Sequence, residues 1–271
     1  MNVAVIIPAA GSSDRFKQAA RAEGHDAPRS KLDEDLAGRP VLQRTVELFT
    51  KRPEVTAIIV AGPHDDDAMS DFRLRHADKL AVFGVTLVPG GKAHRWETVQ
   101  AALAHVPDPC THVAIHDAAR PGTPPELLDR LFDAAERHPA VIPALPIADT
   151  VKRTIDAPEL AADADPLAAI FADDSAPKPA PKRVAETLDR AALVTVQTPQ
   201  VFEKSLIVRA YADPDPSATD DAALVERLAE PVLVVEGDVR NMKITTPADV
   251  RALRAMLGLK GPAQRATHKR F

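Results

Sequence analysis

Residues 3–15 read VAVIIPAAGSSDR, and the reading of this stretch decides the fold. Its first five residues, VAVII, form an unbroken apolar run, the pattern of a strand covered on both faces rather than on one. Pro8, Ala9, Ala10 and Gly11 follow, then Ser12, Ser13, Asp14 and Arg15. Small residues let backbone N–H groups come close to a phosphate or a base, and Arg15 adds positive charge. The loop has one glycine, so it is not the G-x-G-x-x-G dinucleotide fingerprint, and it lacks the G-x-x-x-x-G-K of a phosphate loop. Taken alone it reads equally as a tight strand-to-helix turn.

Working outward, short β-branched runs at 55–60 (VTAIIV), 85–88 (VTLV), 112–115 (HVAI) and 141–145 (VIPAL) alternate with helical patterns at 40–49, 65–79, 95–105 and 125–138. Pro125 suits a first-turn position, with Thr123 expected as the cap. After residue 193 the alternation resumes, with helices expected at 203–211 and 220–228 and strands at 232–235 and 242–245. A last helix runs from Pro247 to Leu257 behind Thr246 as cap. This order predicts an α/β fold with a largely parallel sheet, whose ligands bind at the carboxyl ends of the strands.

Composition narrows the function. The 271 residues carry 45% hydrophobic and 27% charged residues, the balance of a globular chain. Aromatics are 4%, so Val, Leu, Ile and Ala must fill the core. A net charge of −5 argues against a chain-wide nucleic-acid footprint but leaves room for a local cationic pocket. Cys110 is the only cysteine, which excludes an intrachain disulfide and a Cys-based zinc site. No run approaches the ~18 apolar residues of a membrane span. The first residues lack a basic region and are interrupted by Pro8, so they read as a strand rather than a leader, and the expected location is cytoplasmic. Two stretches break the alternation. Residues 156–182 are rich in Ala, Asp and Pro and predict an extended, mobile insertion, and residues 259–271 predict a flexible basic tail.

The segments PAAGSSDRF (8–16), SKL with AGRPVLQRTVELF (30–49), PGGKAHRWETVQAAL (89–103), HDAARP (116–121), IADTVKR (147–153), ETLDR and QTPQVF (186–202), TDDAALVE (219–226) and EGDVRNMKITTPADV (236–250) together carry a resemblance. The chain resembles the nucleotidyltransferases that activate sugar or polyol phosphates, and among these the methylerythritol phosphate cytidylyltransferase family. The resemblance runs in family order over nearly the whole chain. It implies one Rossmann-like nucleotidyltransferase domain over 1–258, with a mostly parallel sheet and a projecting β-arm at about 147–193 that clasps a second subunit. The implied reaction joins CTP to methylerythritol phosphate, releasing pyrophosphate, with Mg²⁺ held mainly by the CTP phosphates.

By the same resemblance, Pro8, Ala9, Ala10 and Gly11 would cradle CTP, while Arg15 and Lys31 bind its triphosphate. Gly91 and Thr98 would contact the cytosine, and Lys243 would reach the α-phosphate. Asp117, Arg120, Arg153 and Thr187 would orient the polyol phosphate. No residue is assigned to a metal, and buried His116 is given no role. The chemistry suits these residue types: a dianionic nucleophile approaching a triphosphate must have its repulsion cancelled by Arg and Lys. Departures from the family pattern are Ser13 at the position of a second glycine, a longer stretch between Arg15 and Lys31, Leu32 for a glutamine, Lys92 for an acidic residue, and one extra residue after the Gly90-Gly91 pair. Two other readings share the same pocket: a cytidylyltransferase for another polyol phosphate such as ribitol phosphate, and a dimeric nucleotide-binding protein without turnover. A nicotinamide oxidoreductase is disfavoured by the missing glycine fingerprint.

The composition of 156–182 sets one expectation for solution work. Limited proteolysis should cut first near 178–183 or in the tail; first cuts within 65–79 would mean that the insertion is packed.

Overall fold

The computed structural model describes residues 1–24, 30–157, 160 and 181–259. The chain divides into two compact units, one built from Met1–Leu145 with the chain from Val196 onward, the other from Pro146–Thr195. The stretch 158–180 of the expected insertion, residue 160 apart, and the tail from residue 260 lie outside the described residues.

The larger unit holds β1 (Val3–Pro8), α1 (Asp14–Ala22), α2 (Val41–Glu47), β2 (Val55–Gly62), α3 (Asp66–Ala81), β3 (Thr86–Pro89), α4 (Arg95–Leu103), β4 (His112–Ile115), α5 (Pro125–Ala135) and β5 (Ala140–Pro146). The smaller one holds β6 (Lys152–Asp156) and β7 (Lys182–Thr187), with β8 (Val194–Val196) at its end. After it come β9 (Gln200–Glu203), α6 (Lys204–Ala210), α7 (Asp221–Glu226), β10 (Leu233–Glu236) and α8 (Pro247–Met256). The central sheet runs β10-β5-β9-β4-β1-β2-β3. β1 pairs in parallel with β2 and β4, β2 with β3 and β5 with β10, whereas β9 lies antiparallel between β4 and β5.

Why β1 is apolar throughout is visible in the packing. Val3, Val5 and Ile7 face one core with Phe16, Leu42, Phe49 and Leu127. Ala4 and Ile6 face the other, with Val99, Phe202 and Leu206. Helices therefore cover both faces, as a parallel sheet requires. The register puts the strand ends that matter on one edge. Pro8 pairs with Ala61, Gly62 with Pro89, and Ile6 with Ile115, so the chain leaving β1, β3 and β4 emerges side by side.

In the smaller unit β6 and β7 form an antiparallel hairpin, with Lys152 opposite Thr187 and Arg153 opposite Glu186. Every residue of both strands is exposed. The hairpin occupies the place in the chain where the resemblance implies an arm.

Three details differ from the sequence reading. Residues 242–245 form no strand; the Ile244 N–H donates to Ala119 O at 2.8 Å, an isolated bond that seats the segment beside the loop after β4. Thr123 does not cap α5: Pro124 holds the cap position, and the Thr123 hydroxyl donates to Asn241 Oδ1 at 2.7 Å, with Arg120 O 3.2 Å away. Finally, α1 and β9 arise where the sequence pattern marks no element. Thr246 does cap α8, in a reciprocal box with Asp249.

Candidate active site

The loops leaving β1, β3 and β4 enclose a cavity of about 450 Å³, within the range of small-molecule sites. Pro8, Ala9, Ala10 and Gly11 form one wall, with Arg15 at its exposed end. Gly91 and Thr98 form another, and Lys31, Asp117 and Lys243 complete the lining.

The Gly90-Gly91 turn is shaped by close approach. Gly90 N–H donates to Gly62 O at 2.8 Å, and Gly91 N–H to Thr98 Oγ1 at 3.1 Å. A Cβ on Gly91 would sit 2.1 Å from Glu97 Cβ, so a side chain there forces the turn away from α4. Glu97 Oε2 in turn accepts from Ala93 N and His94 N, at 2.7 and 3.2 Å, which fixes the remainder of the turn. Thr98 is buried beneath it, its hydroxyl shared between Gly91 N and His94 O.

Opposite stands a cluster of charges around Asp117. Its Oδ2 accepts from Lys243 Nζ at 2.8 Å and faces Arg120 Nε at 3.4 Å; its Oδ1 faces Arg95 Nε at 3.5 Å. Burial alone would raise the Asp117 pKa, but Arg95 and Lys243 outweigh it and hold the carboxyl well below the usual carboxylate range. Arg120 stands outside the lining. Its guanidinium donates to Asn241 O at 2.6 Å and braces Asp117 from behind.

Lys31 belongs to the short 3₁₀ turn at Lys31–Asp33. Its ammonium donates to Ile244 O at 2.8 Å. Burial, and then the Lys243 charge, lower its pKa to about 8. His116 is fully buried, held by Arg120 O and Thr198 Oγ1, and burial lowers its pKa to about 4, so it is a neutral ring within the core.

Of the residues singled out from the sequence, Pro8, Ala9, Ala10, Gly11 and Arg15 meet Lys31, Gly91, Thr98, Asp117 and Lys243 around this one cavity. Arg153 and Thr187 belong to the hairpin, where Arg153 Nε donates to Glu186 Oε1 at 2.5 Å and Thr187 Oγ1 accepts from Lys152 Nζ at 2.5 Å. Sequence reasoning missed Arg95. It lines the cavity and forms two 2.8 Å bonds to the carboxylate of Asp221, which is fully buried and also accepts from the Tyr211 hydroxyl at 2.5 Å. Arg95 and Asp221 lie in two of the segments that carry the resemblance, the one signal that could have found them.

A cavity of this kind, built on small-residue loops at the carboxyl edge of a parallel sheet and flanked by converging Lys and Arg, defines a nucleotide-binding α/β protein of the nucleotidyltransferase class. The sequence profile of the 2-C-methyl-D-erythritol 4-phosphate cytidylyltransferases matches residues 3–166 and 161–258. The cytidylyltransferase of that name from Frankia casuarinae is 38% identical over 265 residues, covering 97% of this chain and 84% of the relative. The one from Symbiobacterium thermophilum is 36% identical over 258 residues, covering 94% of this chain and 92% of the relative. The crystal structure of the Thermus thermophilus cytidylyltransferase superposes with a TM-score of 0.64 at 28% identity, covering 94% of this chain and 98% of the other. The chain belongs to the 2-C-methyl-D-erythritol 4-phosphate cytidylyltransferase family.

The Arg95–Asp221 pair, with Asp221 fully buried and Arg95 partly so, makes a direct stability test. Asp221→Ala removes the acceptor shared by Arg95 and the Tyr211 hydroxyl and should cost about 1–3 kcal/mol, read as a lower urea midpoint. An unchanged midpoint would mean that the pair contributes little to the fold.

Proposed function

We propose that the protein transfers a cytidylyl group from CTP to 2-C-methyl-D-erythritol 4-phosphate, releasing pyrophosphate, in the non-mevalonate route to isoprenoid precursors. The observation that carries the reading is the convergence of Arg15, Lys31 and Lys243 on one cavity beside the Pro8–Gly11 loop and the Gly91 turn. Family membership supplies the substrates.

The acceptor phosphate oxygen attacks the α-phosphorus of CTP in line. A new O–P bond forms as the bond to the α,β-bridging oxygen breaks, and that oxygen departs with pyrophosphate. Such a transfer needs positioning and cations placed where charge develops. Arg15 and Lys31 bind the triphosphate. Lys243, held by Asp117, reaches the α-phosphate and the incoming phosphate. Gly91 and Thr98 form the side of the pocket that meets cytosine. Asp117 orients the acceptor with Arg120 bracing it from behind, and Arg153 and Thr187 act with them from the hairpin of a second subunit, in a homodimer joined through the arm. Exposed Ile155 and Val184 give the hairpin apolar surface suited to such a contact.

Among the described residues no three His, Cys, Asp or Glu side chains come together as a metal cage, and in the cavity lining Asp14 and Asp117 are outnumbered by Arg15, Lys31, Lys92, Arg95 and Lys243. With that lining, Mg²⁺ would be held mainly by the CTP phosphates and would supply charge neutralisation there. No helix among the described residues is long and apolar enough to cross a membrane. A cytoplasmic location is part of this proposal.

Pyrophosphate release from CTP, ATP and GTP, each measured with methylerythritol phosphate, ribitol phosphate and other polyol phosphates, tests the reading. Release with methylerythritol phosphate well above the rest is expected, and equal release from CTP, ATP and GTP would overturn it. In the same assay Lys243→Ala should lower kcat by roughly 10²–10³ while the fold survives; near-normal turnover would remove Lys243 from the chemistry. Because burial lowers Lys31 to about 8, raising the pH past that value strips the free enzyme of a triphosphate-binding charge. Hence kcat/KM for CTP should fall above about pH 8, and the alkaline limb should be absent in Lys31→Arg, whose side chain stays charged. A limb unchanged in Lys31→Arg would assign it to another group.

A further inference from the structure

Ser13 is left over by the assignments above, and its geometry is unusual. Its backbone lies at φ 62° and ψ 26°, the left-handed region that residues with a Cβ rarely adopt. It occupies the N-cap of α1, where a serine hydroxyl ordinarily accepts from the first turn, yet its side chain forms no cap bond. The hydroxyl is turned across the cavity wall instead. It lies 3.2 Å from Ser30 Oγ and accepts from the Lys31 N–H at 3.4 Å. Ser30 Oγ in turn accepts from Leu32 N at 3.2 Å, capping the turn that carries Lys31. A consistent proton arrangement exists: Ser13 donates to Ser30 while receiving from Lys31 N–H. Two serine side chains thus tie the loop bearing Arg15 to the backbone that aims Lys31.

We propose that Ser13 is a positioning residue for nucleotide binding: its hydroxyl, held at a left-handed backbone position, fixes the Lys31 turn against the β1 loop so that the Lys31 and Arg15 charges face one triphosphate. The inference rests on the proposed function, since it assigns Lys31 to that ligand. Glycine adopts this backbone freely, so Ser13→Gly removes the hydroxyl without disturbing the loop conformation. Ser13→Ala removes it and keeps the Cβ.

The test is calorimetric binding of Mg·CTP together with steady-state kinetics. Losing a neutral hydrogen bond of this kind should weaken CTP binding and raise its KM by about 3- to 10-fold in both variants. Since Ser13 acts only on the nucleotide clamp, kcat at saturating CTP should change less than KM. The melting temperature of Ser13→Gly should stay level or rise. In a Lys31→Ala background, Ser13→Gly should have no further effect, because Ser13 acts through Lys31. Unchanged CTP affinity in Ser13→Gly, or the same loss with and without Lys31, would overturn the proposal. Wild-type CTP affinity in Lys31→Ala would instead overturn the reading of the site beneath it.

Discussion

The buried carboxylate of Asp117 is the interaction on which the cavity depends. Arg95, Arg120 and Lys243 all lie within 3.5 Å of its two oxygens. Like charges ~4 Å apart repel by about 4 kcal/mol at an effective dielectric near 20, so such a group gathers only around a compensating anion. Arg95 satisfies a second buried carboxylate, Asp221, and so ties the cluster into α7 and the end of α6. Lys31 and Arg15 line the same cavity without an ion pair to this anion, and Lys31 donates to Ile244 O instead, so cations outnumber carboxylates around the pocket. A triphosphate supplies the missing negative charge.

Asp117 can do this because of where the sheet places it. β4 ends at Ile115, paired through β1, so the next residues leave at the edge where Pro8–Gly11 and the Gly90-Gly91 turn also emerge. Residues 241–245 then pack against that edge through the Ile244–Ala119 bond, delivering Lys243 to Oδ2 and offering the Ile244 carbonyl to Lys31. One extended segment therefore holds both lysines in register with the strand ends. Its closing hydrogen bonds, from Thr245 and Thr246 to Asp249, anchor it to the start of α8.

Much of this is legible in the sequence, for physical reasons that differ from element to element. β1 announces itself because burial on both faces demands an unbroken apolar run. The strand at 112–115 reads true to the residue, since His112 and the residues after Ile115 bound a short buried run. By contrast, α1 buries only Phe16 and Ala20 in an otherwise polar run, so no apolar stretch marks it. Residues 242–245 alternate as a strand would, yet only Ile244 N–H bonds a neighbouring backbone, side chains take Ile244 O and Thr245 N–H, and no ladder forms. Arg95 and Asp221 are separated by 126 positions, and no local spacing reveals a pair that only the fold closes. Ser13 lies in the loop that decides the fold, but a hydroxyl aimed at Ser30 and Lys31 depends on a backbone angle that composition does not disclose.

In the proposed reaction Asp117 holds Lys243 where the α-phosphate of CTP would sit, through their 2.8 Å ion pair. A double-mutant cycle of Asp117→Asn and Lys243→Ala, read as kcat for CTP-dependent pyrophosphate release, measures this coupling directly. Each single change is expected to lower kcat steeply, and the pair together to lower it far less than the product of the two losses. Full multiplication of the two losses would show that the residues act independently and would contradict the coupling.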